Sequence, residues 1–318
     1  PLYTEYRDMK NFPEGVASQG VPVIPGVPFT TGTYFFVDSV AGANTNTGLQ
    51  KNRAFATVAK AIASCTADKG DVIVVMPGHA ETVTATNINM SVAGVTVVCV
   101  GNGKLAPTFT YGAAAATITI SADDCAWVGG QHIGNFDNIV AAFTLGAAKD
   151  FRLEAGVFID NTAALHFLTI VSTNAVANNA DGLTVLNCYW WALALAPGAF
   201  ISVLEALDRL WVQGNHVDSA ATNDVGHFIT IGAFVIRAAR IMRNQLNVVG
   251  LAAGTVGIFM TGSSTTNTGM VAYNLVTSLD TTTALFITAA INLAVHENYV
   301  SGAVASSGTL FPAADNPA

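Results

Sequence analysis

The stretch "LAVHENYV", residues 293–300, sets an asparagine, Asn298, among Leu293, Val295 and Val300. The same setting returns at "LWVQGNHV" (210–217), "RIMRNQLN" (240–247) and "MVAYNLV" (270–276). In each, an apolar residue lies three places before the asparagine and another two places after it. The sets are Val212, Asn215 and Val217; Ile241, Asn244 and Leu246; Val271, Asn274 and Val276; and Val295, Asn298 and Val300. Traced upstream with glycine allowed at the bend, the pattern gives Gly78, Gly101, Gly130 and Gly156. Asn187 is a weaker member, because Thr184 stands at its apolar place. These nine bends are 23 to 31 residues apart, a period that belongs to a repeat array rather than to a globular domain.

Glycine and asparagine share a physical property: both tolerate the left-handed backbone that a sharp corner between strands requires. Stacked asparagines can also bond one another and satisfy backbone groups that a buried corner would leave unpaired. Between the corners lies a second column of strand-like runs, "FLTI" (167–170), "FISV" (200–203), "FITI" (228–231), "IFMT" (258–261) and "LFIT" (285–288). Each turn therefore holds at least two strands. A leucine-rich repeat also has a period of about 20–29 residues and an asparagine ladder. Its far side, however, carries helix or extended chain, whereas here that side is β-branched and aromatic. The reading is all-β: one single-stranded parallel β-helix of about nine rungs, roughly 40 Å long at about 4.8 Å per rung.

Of the 318 residues, 51% are hydrophobic and only 11% charged, against about a quarter in an average chain. The net charge of −8 and the scattered Lys and Arg exclude a basic nucleic-acid surface. The longest apolar run, "YWWALALAPGAF" (189–200), is broken by Pro197 and Gly198 and is too short for a bilayer span. Residues 1–33 read as an extended arm rich in Pro and Gly. Val21, Val23, Ile24, Val27 and Phe29 make it apolar enough to dock on a partner. A helix is expected over 54–65, with Phe55, Val58, Ala59 and Ile62 on one face, then a strand over 72–76. The divisions are the arm (1–33), an opening segment with a capping helix (34–80), the rungs (81–308) and a C-terminal cap (309–318), where Leu310 and Phe311 cover the far end.

"YFFVD" (34–38), "AFATVAKAI" (54–62) and "GDVIVVMPG" (70–78) resemble the opening of right-handed parallel β-helices of the pectate-lyase-like superfamily. The resemblance extends over about residues 34–300. The composition, poor in Lys and rich in Ala, Gly and Thr, and the arm ahead of the coil are similar to those of tailed-phage virion proteins. That likeness implies a homotrimeric capsid decoration or fibre protein on the virion surface, docked on a capsid or other virion protein through its arm. No signal peptide is visible, so synthesis in the host cytoplasm is expected.

Members of that superfamily also include polysaccharide lyases and hydrolases, which place two or three carboxylates on adjacent rungs, about 5–10 Å apart. Candidates here are few. Asp123 and Asp124 precede a strand; Asp208 with Arg209, and Asp218 with Asp224, lie near the Asn215 rung, where His216 or His227 could join them. Glu154, Glu205 and Glu297 do not fall in one column, and His296 and Glu297 alternate faces. Arg237, Arg240 and Arg243 could meet an acidic partner. The six histidines lack HxH or HExxH spacing, and Cys65, Cys99, Cys125 and Cys188 lack CxxC spacing, so neither metal nor cofactor is expected. One Trp of Trp127 and Trp211, and one of Trp190 and Trp191, is expected to face outward, in a subunit interface or against a sugar. The scarcity of matched carboxylates favours the structural role. A tailspike-type depolymerase and a non-catalytic glycan-binding adhesin stand as alternatives.

Overall fold

The computed structural model describes residues 17–18, 21–22, 27–193, 198–219, 227–248, 256–260, 266–278, 285–287, 292–302 and 309–311. The chain winds into a parallel β-solenoid with three sheets. The first runs from Tyr34–Val37 to Leu293–His296, the second from Ala80–Val83 to Asn298–Gly302, and the third from Asn89–Met90 to Leu285–Ile287. Every pairing between successive turns is parallel, and the inward column of the first sheet shows why the coil holds. Trp127, Leu153, Val185, Val212, Ile241, Val271 and Val295 are stacked one turn apart. A chain half hydrophobic can fill such a column at every turn, and the inward residues of all three sheets merge into one buried core. The strand-like runs of the sequence overlap the third-sheet strands Thr169–Ser172, Ala199–Val203, His227–Ile231, Val256–Met260 and Leu285–Ile287.

The third sheet has eight strands, so seven full turns separate its first strand from its last, slightly fewer than the nine rungs expected. The last turn, which carries Asn298, adds no strand to the third sheet among the described residues.

Helix is nearly absent. The expected helix at 54–65 is confined to Val58–Ile62, capped by the Thr57 side chain, which accepts from the Lys60 amide at 3.3 Å. Its start is delayed because Phe55 is drawn into the opening strand: its amide donates to Phe36 O at 2.8 Å and its carbonyl accepts from the Asp38 amide at 2.8 Å. Val58, Ala61 and Ile62 are buried, so Ala61 rather than Ala59 shares the inner face with Phe55. At the far end Thr309–Phe311 pairs antiparallel with Asn298–Val300.

The corner from the first sheet to the second is built from two columns. Ala155, Asn187, Gly214, Arg243, Tyr273 and Glu297 all have φ between 51° and 69°. The residues that follow them form the ladder. The amides of Cys188, Asn215, Asn244 and Asn274 donate to the side-chain oxygens of Asn215, Asn244, Asn274 and Asn298 at 2.9–3.0 Å. The side-chain amides of Asn215, Asn244 and Asn274 donate onward to the next oxygen in the row at 2.9–3.0 Å. Asn215, Asn244, Asn274 and Asn298 also donate to Val185, Val212, Ile241 and Val271 carbonyls of the preceding turn.

The left-handed residue is the one before each of these four asparagines, so the asparagine is present for its side chain. Asn187 lies in the left-handed column, and Cys188 holds its ladder place. Gly130 and Gly156 continue the ladder column upstream. Gly101 falls outside it, because the chain makes an excursion through 100–107 before the second sheet resumes at Thr108; Gly78, with φ of 81°, lies one place before it, and His79 stands in the ladder column by register.

Candidate functional site

The outward face of the second sheet is a wall with an unusual charge distribution. Its nine parallel strands present residues 80 and 82, 108 and 110, 131 and 133, 157 and 159, 189 and 191, 216 and 218, 245 and 247, 275 and 277, and 299. Among these, Asp218 alone carries a formal charge at neutral pH. The middle of the wall is apolar. Ile133, Ile159 and Trp191 stack on successive turns, with Val157 and Tyr189 beside them. Trp191 is 40% exposed and Val157 36%.

A polar cluster adjoins this band one turn further on. Register places Tyr189, His216 and Gln245 in one column and Trp191, Asp218 and Asn247 in the other. The Asp218 carboxylate accepts from Tyr189 Oη at 3.1 Å and from Asn247 Nδ2 at 2.7 Å, and its Oδ1 lies 2.9 Å from His216 Nε2. Gln245 Nε2 donates to Asn247 Oδ1 at 3.1 Å. Burial, then the hydrogen bond to Asp218 and its charge, push the Tyr189 phenol up to about 12, so it stays a donor. Thus His216 and Asp218, paired in the sequence reading, do meet. Asp224 lies outside the described residues, and His227 begins the third-sheet strand His227–Ile231, away from them. Tyr189 and Asn247, which complete the cluster, escaped the sequence reading.

The other candidates are dispersed. Asp124 is a left-handed corner residue, and Asp123 accepts from the Lys149 amide at 2.8 Å, so both serve the turn. Asp208 and Arg209 turn to different partners: Arg237 Nε lies 2.7 Å from Asp208, and Arg209 2.9 Å from Asp150. Glu154 faces outward on the first sheet against Arg152. Glu205 is buried, accepts from the Asn179 amide at 2.8 Å, and has its pKa raised chiefly by that burial. Glu297 and Arg243 sit at left-handed corners, so Arg237, Arg240 and Arg243 do not share a face. Among the described residues, no group of three or more His, Cys, Asp or Glu side chains is placed to hold a metal.

Trp127 and Trp190 are buried in the core, whereas Trp211 and Trp191 face outward. Of the arm residues, Val27 packs on this chain's own first sheet, against the outer cluster of Tyr34, Val72, Val74 and Val98. Phe29 is 71% exposed. Val21 pairs with Ser18 in a two-strand ribbon; Val23 and Ile24 lie outside the described residues.

No protein-family model matches the chain, and neither does any curated protein. Among solved structures, a rhamnogalacturonan lyase aligns with 14% identity and a TM-score of 0.36, over 84% of this chain and 87% of that one. A GH136 lacto-N-biosidase from Eubacterium ramulus aligns with 8% identity and a TM-score of 0.26, over 84% of this chain and 68% of that one. Likeness of this degree says nothing about the activity of the present chain.

Proposed function

We propose that the chain is a structural component of a tailed-phage particle, a capsid decoration or fibre protein, and that copies of it associate through the outer wall of the second sheet. The observation that carries this reading is the charge pattern of that wall. A chain of net charge −8 repels its copies over most of its surface, yet among the described residues this face bears one formal charge over nine strands, about 40 Å of height. Its apolar centre, flanked by a polar cluster, has the anatomy of a subunit interface. The trimer and the particle follow from the likeness of composition and arm to phage proteins, with the arm as the means of docking.

Replacing Ile159 and Trp191 by Arg places two like charges on the wall without touching the core. Light scattering is expected to show a trimer for the unaltered protein and a monomer for the double variant. An unaltered protein that is monomeric at about 1 mg/mL would overturn the association, since a wall of this size supports at least micromolar affinity.

A second reading, glycan cleavage or binding, is favoured by one observation. The Tyr189–His216–Asp218–Asn247 cluster offers donors and acceptors beside the exposed face of Trp191, the combination that holds a sugar ring. Asp218 is the only carboxylate in that cluster among the described residues, whereas double-carboxylate hydrolysis needs two. Host capsular polysaccharide incubated with the protein is expected to stay intact. Cleavage that disappears in Asp218→Asn would establish the enzymatic reading instead.

A further inference from the structure

The outer face of the first sheet carries a groove of about 290 Å³, lined by Asp150, Gly182, Thr184, Arg209, Trp211 and Arg240 among others. It lies on a different sheet from the wall and the cluster around Asp218. Its construction begins at the corner leading into that sheet, where Asp150, Gly182 and Arg209 occupy equivalent left-handed positions on three successive turns. The Arg209 guanidinium reaches back across two turns and grips Asp150 with both terminal nitrogens, at 2.9 and 3.3 Å. The pair can close only because the residue between has no side chain: a Cβ on Gly182 would come within 2.1 Å of Asp150 Oδ1. One end of the groove is thereby fixed and electrically neutral.

The other end is not neutral. Thr184, Trp211 and Arg240 stand at one register on three successive turns, about 4.8 Å apart. Trp211 is 37% exposed, and its ring is held by Nε1 donating to Gln213 Oε1 at 3.1 Å. Three nearby arginines are engaged: Arg152 with Glu154, Arg209 with Asp150 and Arg237 with Asp208. Arg240 is exposed and has no acidic partner among the described residues. An unpaired guanidinium beside a held indole, in a groove of this size, offers two contacts at once. One is a charge-assisted bond to an oxyanion; the other is an apolar plane for a ring.

We propose that this groove binds a sugar residue carrying a single anionic group, carboxylate or sulfate, with its apolar ring face on Trp211 and its anion on Arg240. A neutral sugar would leave Arg240 unused, and a free inorganic anion would leave Trp211 unused. The chemistry therefore selects for both features in one ligand. The site does not depend on association through the second sheet.

The test is titration calorimetry of the intact protein with methyl glucuronide, glucose 6-sulfate, methyl glucoside and inorganic sulfate. One or both anionic sugars are expected to bind with a dissociation constant of about 1 mM. Methyl glucoside and inorganic sulfate are expected to bind at least about ten-fold more weakly. Arg240→Gln and Trp211→Ala are each expected to cost about ten-fold or more, with unchanged far-ultraviolet circular dichroism, since both side chains point away from the core. The proposal is overturned if neither anionic sugar binds at about 50 mM, if methyl glucoside or sulfate binds equally well, or if both variants bind as the unaltered protein does. The Ile159 and Trp191 double variant is expected to bind normally, so failure of this site and failure of the wall are read separately.

Discussion

Asn244→Ala is expected to destabilise the coil by about 3 kcal/mol, far more than any outward substitution on the same turn. Asn244 is buried and occupies the middle of the ladder. Its side-chain oxygen accepts both the Asn215 amide and the Asn215 side chain at 3.0 Å. Its side-chain nitrogen donates to Val212 O at 3.0 Å and to Asn274 Oδ1 at 2.9 Å. Alanine removes all four bonds. The Asn215 amide then has no acceptor in the dry corner, and each buried group left without a partner costs about 1–3 kcal/mol. Chain polarisation along the row adds to the loss, because the ladder bonds follow one another from turn to turn and are buried. Gln245→Ala, one residue on but facing outward, removes only a bond to Asn247 and is expected to cost under about 0.5 kcal/mol. Urea unfolding followed by circular dichroism measures both. An Asn244→Ala protein as stable as Gln245→Ala would show that the ladder carries no weight.

Acid is expected to weaken the fold through one residue of the core. His132 lies between Phe109 and Phe158, with ring centroids 5.3 and 4.8 Å away and planes 18° from parallel. Tyr111 Oη is 3.2 Å from its Nδ1, and its Nε2 has no hydrogen-bond partner. Burial drives its pKa down to about 3, against a smaller opposing effect of the Gly129 backbone. The folded ring is therefore neutral where the unfolded ring, with an ordinary value near 6.5, takes up a proton. The unfolded state binds more protons below that value, so stability falls with falling pH, by about 1.4 kcal/mol per unit, from near 6.5 down to about 3. Between pH 6.5 and pH 4 the loss amounts to about 3 kcal/mol. His132→Phe keeps the stack and removes the titration. At pH 7 it is expected to match the unaltered protein within about 1 kcal/mol, because the lost Tyr111 contact is offset by the loss of an unpartnered nitrogen. At pH 4 it is expected to be the more stable of the two by about 3 kcal/mol. Equal acid sensitivity of the two proteins would place the acid response elsewhere.

The repeat was legible because burial forces the same residue types to the same places at every turn. Val212, Ile241, Val271 and Val295 fall in one inward column, and Asn215, Asn244, Asn274 and Asn298 in one corner. The left-handed column was not legible. Arg243, Tyr273, Glu297 and Ala155 adopt φ of 51–60° although nothing in their chemistry favours it; the turn geometry, fixed by the neighbouring ladder, imposes it. The site was partly hidden for a related reason. Taking Asn187 as the ladder residue aligns Tyr189 with the inward Val217. With Cys188 in the ladder, Tyr189 aligns with the outward His216 and reaches Asp218. A one-residue slip exchanges the two faces of a strand, so a single misplaced corner concealed half of the polar cluster. The groove at Trp211 and Arg240 was hidden because its residues come from three turns, and only the register brings them together.

The stacking of the corners is tested most directly by exchange of the asparagine side-chain amide protons in protein labelled with nitrogen-15 at asparagine. The amides of Asn215, Asn244 and Asn274 are each donors to two oxygens in the ladder and its flanking turn. They are expected to exchange at least about a hundred-fold more slowly than free asparagine, as hydrogen bonds with opening free energies of several kcal/mol do. Exchange of all three at the rate of free asparagine would mean that they are not stacked, and would contradict the coil.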